Sequence, residues 1–307
     1  MRKEELYRRV LSLIGDRDRV KCDEKLSNYT FTKTGGEADV FVLPESYDEV
    51  CAIERFAGQH AVPVTVLGRG SNVIIRDGGI RGLVVHLGGL DRIRRDGDSI
   101  VAQCGAAVIE VSRFALSCGL TGLEFACGIP GSVGGALYMN AGAYGGETAQ
   151  VLEAAVVVDR SGRLLRLKRG QLDMGYRSSA VSKNGYIALE GTFALHQGDK
   201  AAIKKEMDRL TYLRELKQPL EYPSCGSVFK RPPGHYAGKL IQDSGLQGKR
   251  IGGVEVSTKH AGFMVNVDHG TATDYIKLIH YVQKTVKEKF NVDLQTEVRI
   301  IGENRID

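Results

Sequence analysis

The stretch from Cys127 to Glu147, "CGIPGSVGGALYMNAGAYGGE", contains seven glycines and restricts the possible fold more than any other segment. Glycine weakens a helix or strand by about 0.5–1 kcal/mol relative to alanine, but it permits positive φ and close approach of the main chain to a ligand. The stretch also carries apolar residues such as Ile129, Val133 and Leu137, too many for a solvated linker. It is either a glycine-rich surface loop or, as the composition favours, a wrapping for a flat, partly apolar ligand with phosphates.

A second glycine loop, "LGRGSNV", follows the predicted strand "VPVTVLG". A dinucleotide-binding βαβ fold needs a third glycine and a following helix, but Val73 stands at that glycine position and "IIRDGG" predicts strand and turn. The loop is either a tight turn or a phosphate cradle of backbone N–H groups, with Ser71 and Asn72 as further donors. In the stretch from Cys127 to Glu147, Ser132 is predicted to be the N-cap of a short helix, and the dipole of that helix favours binding of an anion at its N-terminus. Two such loops favour a large dinucleotide-like cofactor.

Composition excludes several classes of function. No apolar run approaches the roughly 18–20 residues of a membrane span, and the N-terminus lacks a signal peptide's features, so we expect a cytoplasmic protein without membrane contact. The six cysteines are scattered singly, which indicates a reducing compartment and argues against a cysteine-based zinc site, and no metal is predicted. The net charge of +5 forms no basic stripe and Trp is absent, so we expect anionic small ligands, no nucleic acid and no obligatory protein partner.

Residue periodicity predicts a mixed α+β chain. Helices are predicted over 3–14, 46–60, 108–117, 198–217, 236–243 and 272–289. Strands are predicted near 39–43, 62–68, 82–87, 99–105, 186–196, 253–256, 263–267 and 294–301, with a hairpin around 161–162 and a turn at "DRIRRDGD". Four of the seven prolines lie in "QPLEYPSCGSVFKRPPG". We therefore predict two domains, 1–200 and 201–307, with the break near that segment.

Eight motifs occur in order along the chain: "TFTKTGGEADVFVLP", "LGRGSNVIIRDGG", "GIPGSVGGALYMNAGAYGGE", "GYRSS", "CGSVFKRP", "AGKLIQDSGLQGKRIGG", "HAGFMVN" and "TEVRIIG". From about Tyr29 to Gly302, this series resembles the UDP-N-acetylenolpyruvoylglucosamine reductase (UDP-N-acetylmuramate dehydrogenase) family. The resemblance implies an FAD-binding domain of the vanillyl-alcohol-oxidase (PCMH) type over 1–200, with two subdomains and an N-terminal helix. It implies a C-terminal α+β substrate-binding domain over 201–307. The short sequence after Gly191 resembles the branch that lacks an extra substrate-covering loop.

The resemblance also implies a reaction. NADPH reduces a noncovalent FAD, since no histidine is placed as a covalent flavin anchor. Flavin N5 then delivers hydride to C3 of UDP-N-acetylglucosamine-enolpyruvate, and C2 is protonated to give UDP-N-acetylmuramate. This UDP-sugar product feeds peptidoglycan synthesis in the cytoplasm, and so cell wall growth, cell shape and cell division.

Three catalytic residues are implied by the same motifs. Arg177 in "GYRSS" would bind the substrate carboxylate, and Ser227 in "CGSVFKRP" would protonate C2. Glu297 in "LQTEVRI" would lie against that carboxylate, which should raise its pKa, so we expect it to work protonated and donate a hydrogen bond to the enolate. From the residues alone, a surface arginine, a turn serine and a solvated strand face remain the alternatives.

The motifs imply binding residues as well. The expected FAD contacts are Gly68, Arg69, Gly70, Ser71, Asn72, Gly128, Ile129, Pro130, Gly131, Gly134, Asn140, Ala141 and Gly142. The expected substrate contacts are Tyr144, Arg231, Lys239 and His260, with Gln247 and Lys249 as further candidates for a phosphate. A lone histidine is more often structural, which is the alternative for His260.

Two rival functions remain open at this point. Another flavin oxidase of the same FAD fold would pass its electrons to O₂, and a nucleotide-binding module without redox chemistry would hold a UDP-sugar in the glycine loops. A yellow protein that releases FAD excludes the second, and NADPH oxidation that needs the enolpyruvyl sugar nucleotide excludes the first.

Overall fold

The computed structural model describes residues 1–305, and the α+β prediction is confirmed by its mixed helices and strands. The chain forms two compact units that each combine distant segments. The first is Met1–Cys22, Asp39–Arg69 and Gly82–Leu213, and the second is Asp23–Ala38, Gly70–Arg81 and Arg214–Asp307. The predicted domain division at residue 200 stays a prediction. Across the described residues, no helix combines the length and the apolar character that crossing a membrane requires.

The predicted helices are all present, with small shifts at their ends. The α-helices are α1 Lys3–Ile14, α2 Tyr47–His60, α3 Val108–Ser117, α4 Val133–Met139, α5 Thr148–Val151, α6 Ala180–Asn184, α7 Lys200–Lys217, α8 Ala237–Asp243 and α9 Ala272–Phe290. Short 3-10 helices occupy Leu26–Tyr29, Leu87–Gly89, Glu124–Ala126 and Arg169–Gln171. The helices α5 and α6 were not predicted, because segments this short show no clear periodicity.

The strands are β1 Val20–Lys25, β2 Glu37–Val42, β3 Val64–Leu67, β4 Val73–Ile75, β5 Ile80–His86, β6 Ile93–Asp96, β7 Ser99–Gln103, β8 Leu120–Thr121, β9 Gly142–Ala143, β10 Gly146–Glu147, β11 Leu152–Val158, β12 Leu164–Lys168, β13 Ile187–Ala194, β14 His196–Gln197, β15 Ser224–Ser227, β16 Arg250–Ile251, β17 Val254–Val256, β18 Phe263–Asn266 and β19 Arg299–Ile301.

Two strand predictions were wrong in part. "DRIRRDGD" is not all turn, since β6 pairs with β7 as an antiparallel hairpin and Gly97 at φ +60° makes the bend. Because β6 lies at the sheet edge, its charged side chains face solvent and hide the strand pattern. The predicted strand 294–301 is formed only in β19, and Thr296 joins Phe229 in an isolated bridge.

In the first unit, an antiparallel sheet of order β12-β11-β13-β7-β6 carries the glycine-rich helix α4, which packs on β13 and β7. Leu137 of α4 and Ile100 and Leu189 of the sheet are each 0% exposed and belong to one hydrophobic core. Full burial of such a side chain contributes about 1.5–3 kcal/mol. A second sheet has the order β1-β2-β5-β3, with β3 parallel to β5. The first glycine loop therefore begins at the carboxyl end of an edge strand.

In the second unit, an antiparallel sheet of order β15-β18-β17-β16 is accompanied by the parallel pair β4 and β19. The helix α9 buries Tyr275, Leu278 and Val282 in this unit's core. Its N-terminus is held by Asp77, whose carboxylate accepts the N–H groups of Ala272 at 3.0 Å and of the next residue at 2.9 Å. These bonds satisfy donors that a helix leaves open at its start.

Candidate functional site

The two glycine loops meet at Gly68 and Ser132. Gly68 directly follows β3, and a Cβ at this position would overlap the Oγ of Ser132. The same Oγ accepts the N–H of Gly135 at 3.2 Å, so the predicted N-cap of α4 is confirmed. The absence of a side chain at Gly68 is therefore what lets the first loop lie against the start of the glycine-rich helix.

Most backbone N–H groups around this helix bond within the protein. Val133 donates to the carbonyl of Ala106 and Gly134 to that of Cys104, both at 2.9 Å. These two N–H groups are therefore not open to a phosphate, because α4 packs closely on residues 104–107. A Cβ on Gly134 would lie 3.1 Å from the Cβ of Cys104, so this glycine serves close packing.

Other N–H groups in the loops stay available. Within residues 1–305, the N–H groups of Gly70, Ser71 and Gly131 make no hydrogen bond to another residue. Main-chain donors that are left open in this way can bind a phosphate or the polar edge of a cofactor. Fewer main-chain donors are therefore open in these loops than the glycine count suggests.

The segment "GAYGG" forms the β9–β10 hairpin, with Tyr144 and Gly145 at its tip. Tyr144 has φ +54° and its side chain is 44% exposed. A Cβ on Gly142 would lie 2.5 Å from the carbonyl oxygen of Gly146, so hairpin packing by itself explains this glycine. The predicted contacts of Tyr144 with substrate and of Gly142 with FAD stay predictions.

Arg177 lies at the tip of a reverse turn. The N–H of Gly175 donates to the carbonyl of Ser178 at 2.9 Å, and the N–H of Ser178 donates back at 3.1 Å. Arg177 has φ +54°, a conformation that costs an L-residue roughly 1–2 kcal/mol. Its guanidinium carbon lies 5.1 Å from the ring centroid of Tyr176. An ordinary surface arginine does not need such strain, and strained backbone clusters at functional sites, so the geometry favours the functional interpretation.

The second unit brings two predicted catalytic residues together. Ser227 ends β15, and the carbonyl of the next residue, Val228, accepts the N–H of Glu297 at 2.8 Å. The Nδ2 of Asn72, from the first glycine loop, donates to the carbonyl of Glu297 at 3.3 Å. Glu297 is half-buried rather than on the solvated strand face that alternation suggested. Three segments far apart in sequence therefore meet around Glu297, and Ser227 is exposed beside them.

Two cations predicted to contact the substrate lie in the same unit. The guanidinium carbon of Arg231 lies 4.0 Å from the ring centroid of Tyr236, which is 63% exposed. Lys239 in α8 forms an ion pair with Asp243 at 2.7 Å. The pairing is exposed and weak, so Lys239 can exchange this partner for a phosphate at small cost.

His260 has a structural explanation. Its Nδ1 accepts the N–H of Gly262 at 3.1 Å, and its ring meets Phe263 edge-on at 4.9 Å between centroids. Burial lowers the pKa of His260, so the neutral ring is favoured. The predicted substrate contact stays a prediction, and the alternative that the sequence left open gains support.

His86 was not found by sequence reasoning. It lies at the end of β5, directly opposite Leu67 in the pairing with β3, and stacks on Phe41 at 5.7 Å between centroids. Burial, together with the charge of Arg69, lowers its pKa to about 4. A neutral histidine therefore lies beside the first glycine loop. Nothing in the local sequence indicated this, because the neighbour that matters is on another strand.

Comparisons with known proteins agree with this architecture. The family model "FAD binding domain" matches residues 38–168, and "UDP-N-acetylenolpyruvoylglucosamine reductase, C-terminal domain" matches residues 218–301. A protein of Bacillus cereus (strain ATCC 14579), named UDP-N-acetylenolpyruvoylglucosamine reductase 2, is 62% identical over 99% of this chain and 100% of its own length. A UDP-N-acetylenolpyruvoylglucosamine reductase of Staphylococcus aureus (strain COL) is 59% identical, with 99% of both chains covered.

Solved structures give the same result for the fold. The crystal structure of UDP-N-acetylenolpyruvylglucosamine reductase from Thermus caldophilus matches with a TM-score of 0.80 and 32% identity, covering 92% of this chain and 98% of that one. An alkyldihydroxyacetonephosphate synthase matches over 64% of this chain and 41% of its own, at a TM-score of 0.50 and 19% identity, which shows fold alone. The predicted fold class, an FAD-binding domain of the vanillyl-alcohol-oxidase type followed by a C-terminal α+β domain, is confirmed.

Proposed function

Because the chain belongs to the UDP-N-acetylenolpyruvoylglucosamine reductase family, we propose that it is the NADPH-dependent enzyme that reduces UDP-N-acetylglucosamine-enolpyruvate to UDP-N-acetylmuramate. Family membership and the FAD-binding domain make it an FAD-containing oxidoreductase. The single observation that carries the proposal is the match at 62% identity over 99% of the chain. The reaction supplies a precursor of peptidoglycan.

The residues present fit a bound FAD. In the first unit, the close approach of Gly68 to Ser132 and the open N–H group of Gly131 leave main chain able to face a dinucleotide. The chemistry that bound FAD would supply is transfer of a hydride from NADPH to C3 of the enolpyruvyl group. We propose that the contacts of FAD, all noncovalent, are those expected from the motifs: Gly68, Arg69, Gly70, Ser71, Asn72, Gly128, Ile129, Pro130, Gly131, Gly134, Asn140, Ala141 and Gly142.

Arg177 binds the substrate carboxylate in this proposal. As C3 is reduced, negative charge develops at C2 and spreads into the carboxylate. A planar guanidinium can hold both carboxylate oxygens and stabilise that charge. Preorganised charges aimed at developing charge usually supply the largest catalytic contribution. The strained turn that carries Arg177 supports this role, since it holds the residue in a conformation it would not adopt by itself.

Ser227 is the proposed proton donor to C2. A serine hydroxyl is a poor acid in water, so its contribution depends on being held at the reacting carbon. Gly226, with φ +72° and nothing within 4 Å of where a Cβ would be, leaves open space next to Ser227. The exposure of Ser227 and this space support a position at which substrate can reach the hydroxyl.

Glu297 is proposed to act in its protonated form. A carboxylate brought next to the substrate's carboxylate is disfavoured by like charge, which raises the pKa of Glu297 once substrate is bound. The protonated side chain then donates a hydrogen bond to the enolate oxygen. Its half-buried position, fixed through Val228 and Asn72, supports a directed side chain rather than a solvated one.

The UDP part of the substrate needs contacts of its own. We propose that Tyr144, Arg231, Lys239 and His260 contribute to them, with the two cations facing the pyrophosphate. The cation–π contact holds the guanidinium of Arg231 against the exposed ring of Tyr236, and a guanidinium is well suited to bind phosphate oxygens.

The test is anaerobic reduction of the purified protein by NADPH, followed by addition of the enolpyruvyl sugar nucleotide. We expect a yellow protein whose flavin absorbance is bleached by NADPH and returns only when that substrate is added. Reoxidation by O₂ with no response to the substrate would favour a flavin oxidase. A colourless protein that binds UDP-sugars would favour a nucleotide-binding module.

A further inference from the structure

Asn140 ends helix α4 in the left-handed conformation, with φ +47°, and is 1% exposed. Both polar atoms of its side chain bond to main chain. The Oδ1 accepts the N–H of Ala149 at 2.9 Å, and the Nδ2 donates to the carbonyl of Gly175 at 3.2 Å. The carboxamide therefore uses both polar atoms inside the protein and joins the end of α4 to two other segments.

Gly175 is the first residue of the turn that carries Arg177. Its carbonyl, which accepts from Asn140, also accepts the N–H of Ser178 that closes the turn at 3.1 Å. On the other side of the turn, the hydroxyl of Ser179 donates to the carbonyl of Tyr138 at 2.9 Å, and Ser179 is 0% exposed. Both ends of the turn are thus fastened to the last residues of one helix.

The attachment of the turn 175–178 to the end of α4 has a physical reason. Arg177 adopts φ +54°, and a strained conformation persists only when its surroundings over-determine it. Asparagine suits the fastening position because it tolerates the left-handed conformation and offers a donor and an acceptor at once. Aspartate would lack the donor for Gly175, and glycine would lack both groups.

We propose that Asn140 is a positioning residue for Arg177, whose carboxamide holds the turn 175–178 in the conformation that presents the guanidinium to the substrate carboxylate. The inference rests on the proposed role of Arg177 in the reduction of the enolpyruvyl substrate. Any contact of Asn140 with FAD would then come from its main chain, because the side chain is occupied.

The first test compares Asn140→Gly with the wild type as FAD-loaded protein. Glycine keeps the left-handed backbone and removes both side-chain bonds. We expect the Kd for the enolpyruvyl sugar nucleotide, measured without NADPH from the flavin spectrum, to rise about 10- to 100-fold, because displacing the guanidinium weakens its charge-assisted hydrogen bonds to the substrate carboxylate. FAD content should not change. Asn291→Gly, the same substitution at the left-handed C-cap of α9, is the matched control and should bind substrate normally.

The second test measures the stability of the turn 175–178 directly and does not depend on enzyme activity. Hydrogen exchange at the N–H of Ser178 should become faster in Asn140→Gly and in Asn140→Asp, which keeps only the acceptor. In an Arg177→Lys background, adding Asn140→Gly should change the substrate Kd by no more than about 2-fold, because residues that act through one another are not additive.

The outcomes separate the two proposals. If the wild type does not turn over the enolpyruvyl sugar nucleotide, the proposed function is refuted, and this inference falls with it. If the wild type is active but Asn140→Gly binds substrate normally, or loses FAD in place of substrate affinity, only this inference is overturned. Unchanged hydrogen exchange at Ser178 in both variants overturns this inference as well. If Asn140→Gly does not fold, the exchange measured in Asn140→Asp decides by itself.

Discussion

Asn140, Tyr144 and Arg177 share a backbone conformation that residues with side chains rarely adopt, with φ between +47° and +54°. All three stand in motifs that the sequence marked for function. The conformation costs an ordinary L-residue such as Tyr144 or Arg177 roughly 1–2 kcal/mol and asparagine less, so Tyr144 and Arg177 need compensating contacts. The hydrogen bonds of Asn140 are such contacts for the turn of Arg177. Positive φ alone does not mark a functional residue, since Ala61 and Asn291 adopt it as helix C-caps, so the proposed role of Arg177 depends on the contacts of its turn.

Ser227→Ala tests the proton donor. We expect NADPH to bleach the flavin as in the wild type, because hydride transfer to FAD does not involve Ser227. Product formation should fall about 10²–10⁴-fold, the usual contribution of a positioned proton donor. Ser224→Ala in the same strand is the matched control. Stopped-flow absorbance separates the two half-reactions, and turnover within a few-fold of the wild type would exclude Ser227 as the acid.

The pH dependence of turnover tests Glu297. If its pKa is raised in the substrate complex, the active protonated form is lost as pH rises through that raised pKa, so kcat should fall on the alkaline side. Glu297→Gln keeps a hydrogen-bond donor at all pH values and should lose this alkaline limb while retaining more activity than Glu297→Ala. A profile with no group titrating above the range of a free glutamate would contradict the proposal.

The pKa of His86 predicts a slope of stability with pH. The unfolded histidine titrates near its ordinary value of 6.5, whereas the folded one, at about 4, stays neutral. Between these values the unfolded state binds more protons, so the stabilisation is present above pH 6.5 and is lost as pH falls. We expect the free energy of unfolding to drop by about 2 kcal/mol more between pH 7 and 5 in the wild type than in His86→Gln. Urea titrations at both pH values measure this, and equal drops would contradict it.

At the scale of elements, α4 organises the first unit. The helix is short, and Ser132 caps its first turn. The N–H groups of Val133 and Gly134 bond to residues 104–106, and Tyr138 and Asn140 at the C-terminal end of the helix bond to other segments. The glycines of the stretch from Cys127 to Glu147 therefore have two structural roles, close packing on residues 104–107 and formation of the hairpin at 142–147. Any role in ligand binding comes in addition to these. A helix built in this way is a rigid support for the loops on either side of it.

Gly68→Ala tests the meeting of the two loops. The added Cβ would overlap the Oγ of Ser132, so we expect a loss of about 1–3 kcal/mol in the free energy of unfolding and weaker FAD binding. Ser132→Ala in the same chain should restore part of the loss, since it removes the clashing atom. Gly170→Ala, where nothing lies within 4 Å of the new Cβ, is the control. Absence of rescue by Ser132→Ala would show that the clash is not the cause.

At the scale of the whole molecule, chain order and compact units do not coincide. The segments Asp23–Ala38 and Gly70–Arg81 belong to the unit that otherwise begins at Arg214. The first glycine loop crosses from one unit to the other between Arg69 and Gly70. Each unit has its own buried core, one with Ile100 and Leu137 and the other with Tyr275.

Removal of FAD should lower the stability of the molecule. A ligand that binds only the folded state stabilises it by about 2.7 kcal/mol at a hundredfold excess over Kd. We expect the FAD-stripped protein to melt at a lower Tm and to recover it when FAD is added back. Riboflavin, which lacks the phosphates and adenosine, should restore less. A Tm that does not respond to FAD would contradict a cofactor wrapped by main chain.

The sequence by itself determined two kinds of feature: local structure, and membership of a family through its ordered motifs. Helical periodicity located α1, α2, α3, α7 and α9, and Ser132 identified the cap of α4, because such signals depend on residues a few positions apart. The ordered motifs identified the family. Only the tertiary structure decided which N–H groups of the glycine stretch are already bonded, and that Asn140 fastens the turn of Arg177. It also decided that Glu297 lies beside Val228 rather than on a free strand face. These facts depend on contacts between distant segments, whose geometry is set by packing and has no local signature in the chain.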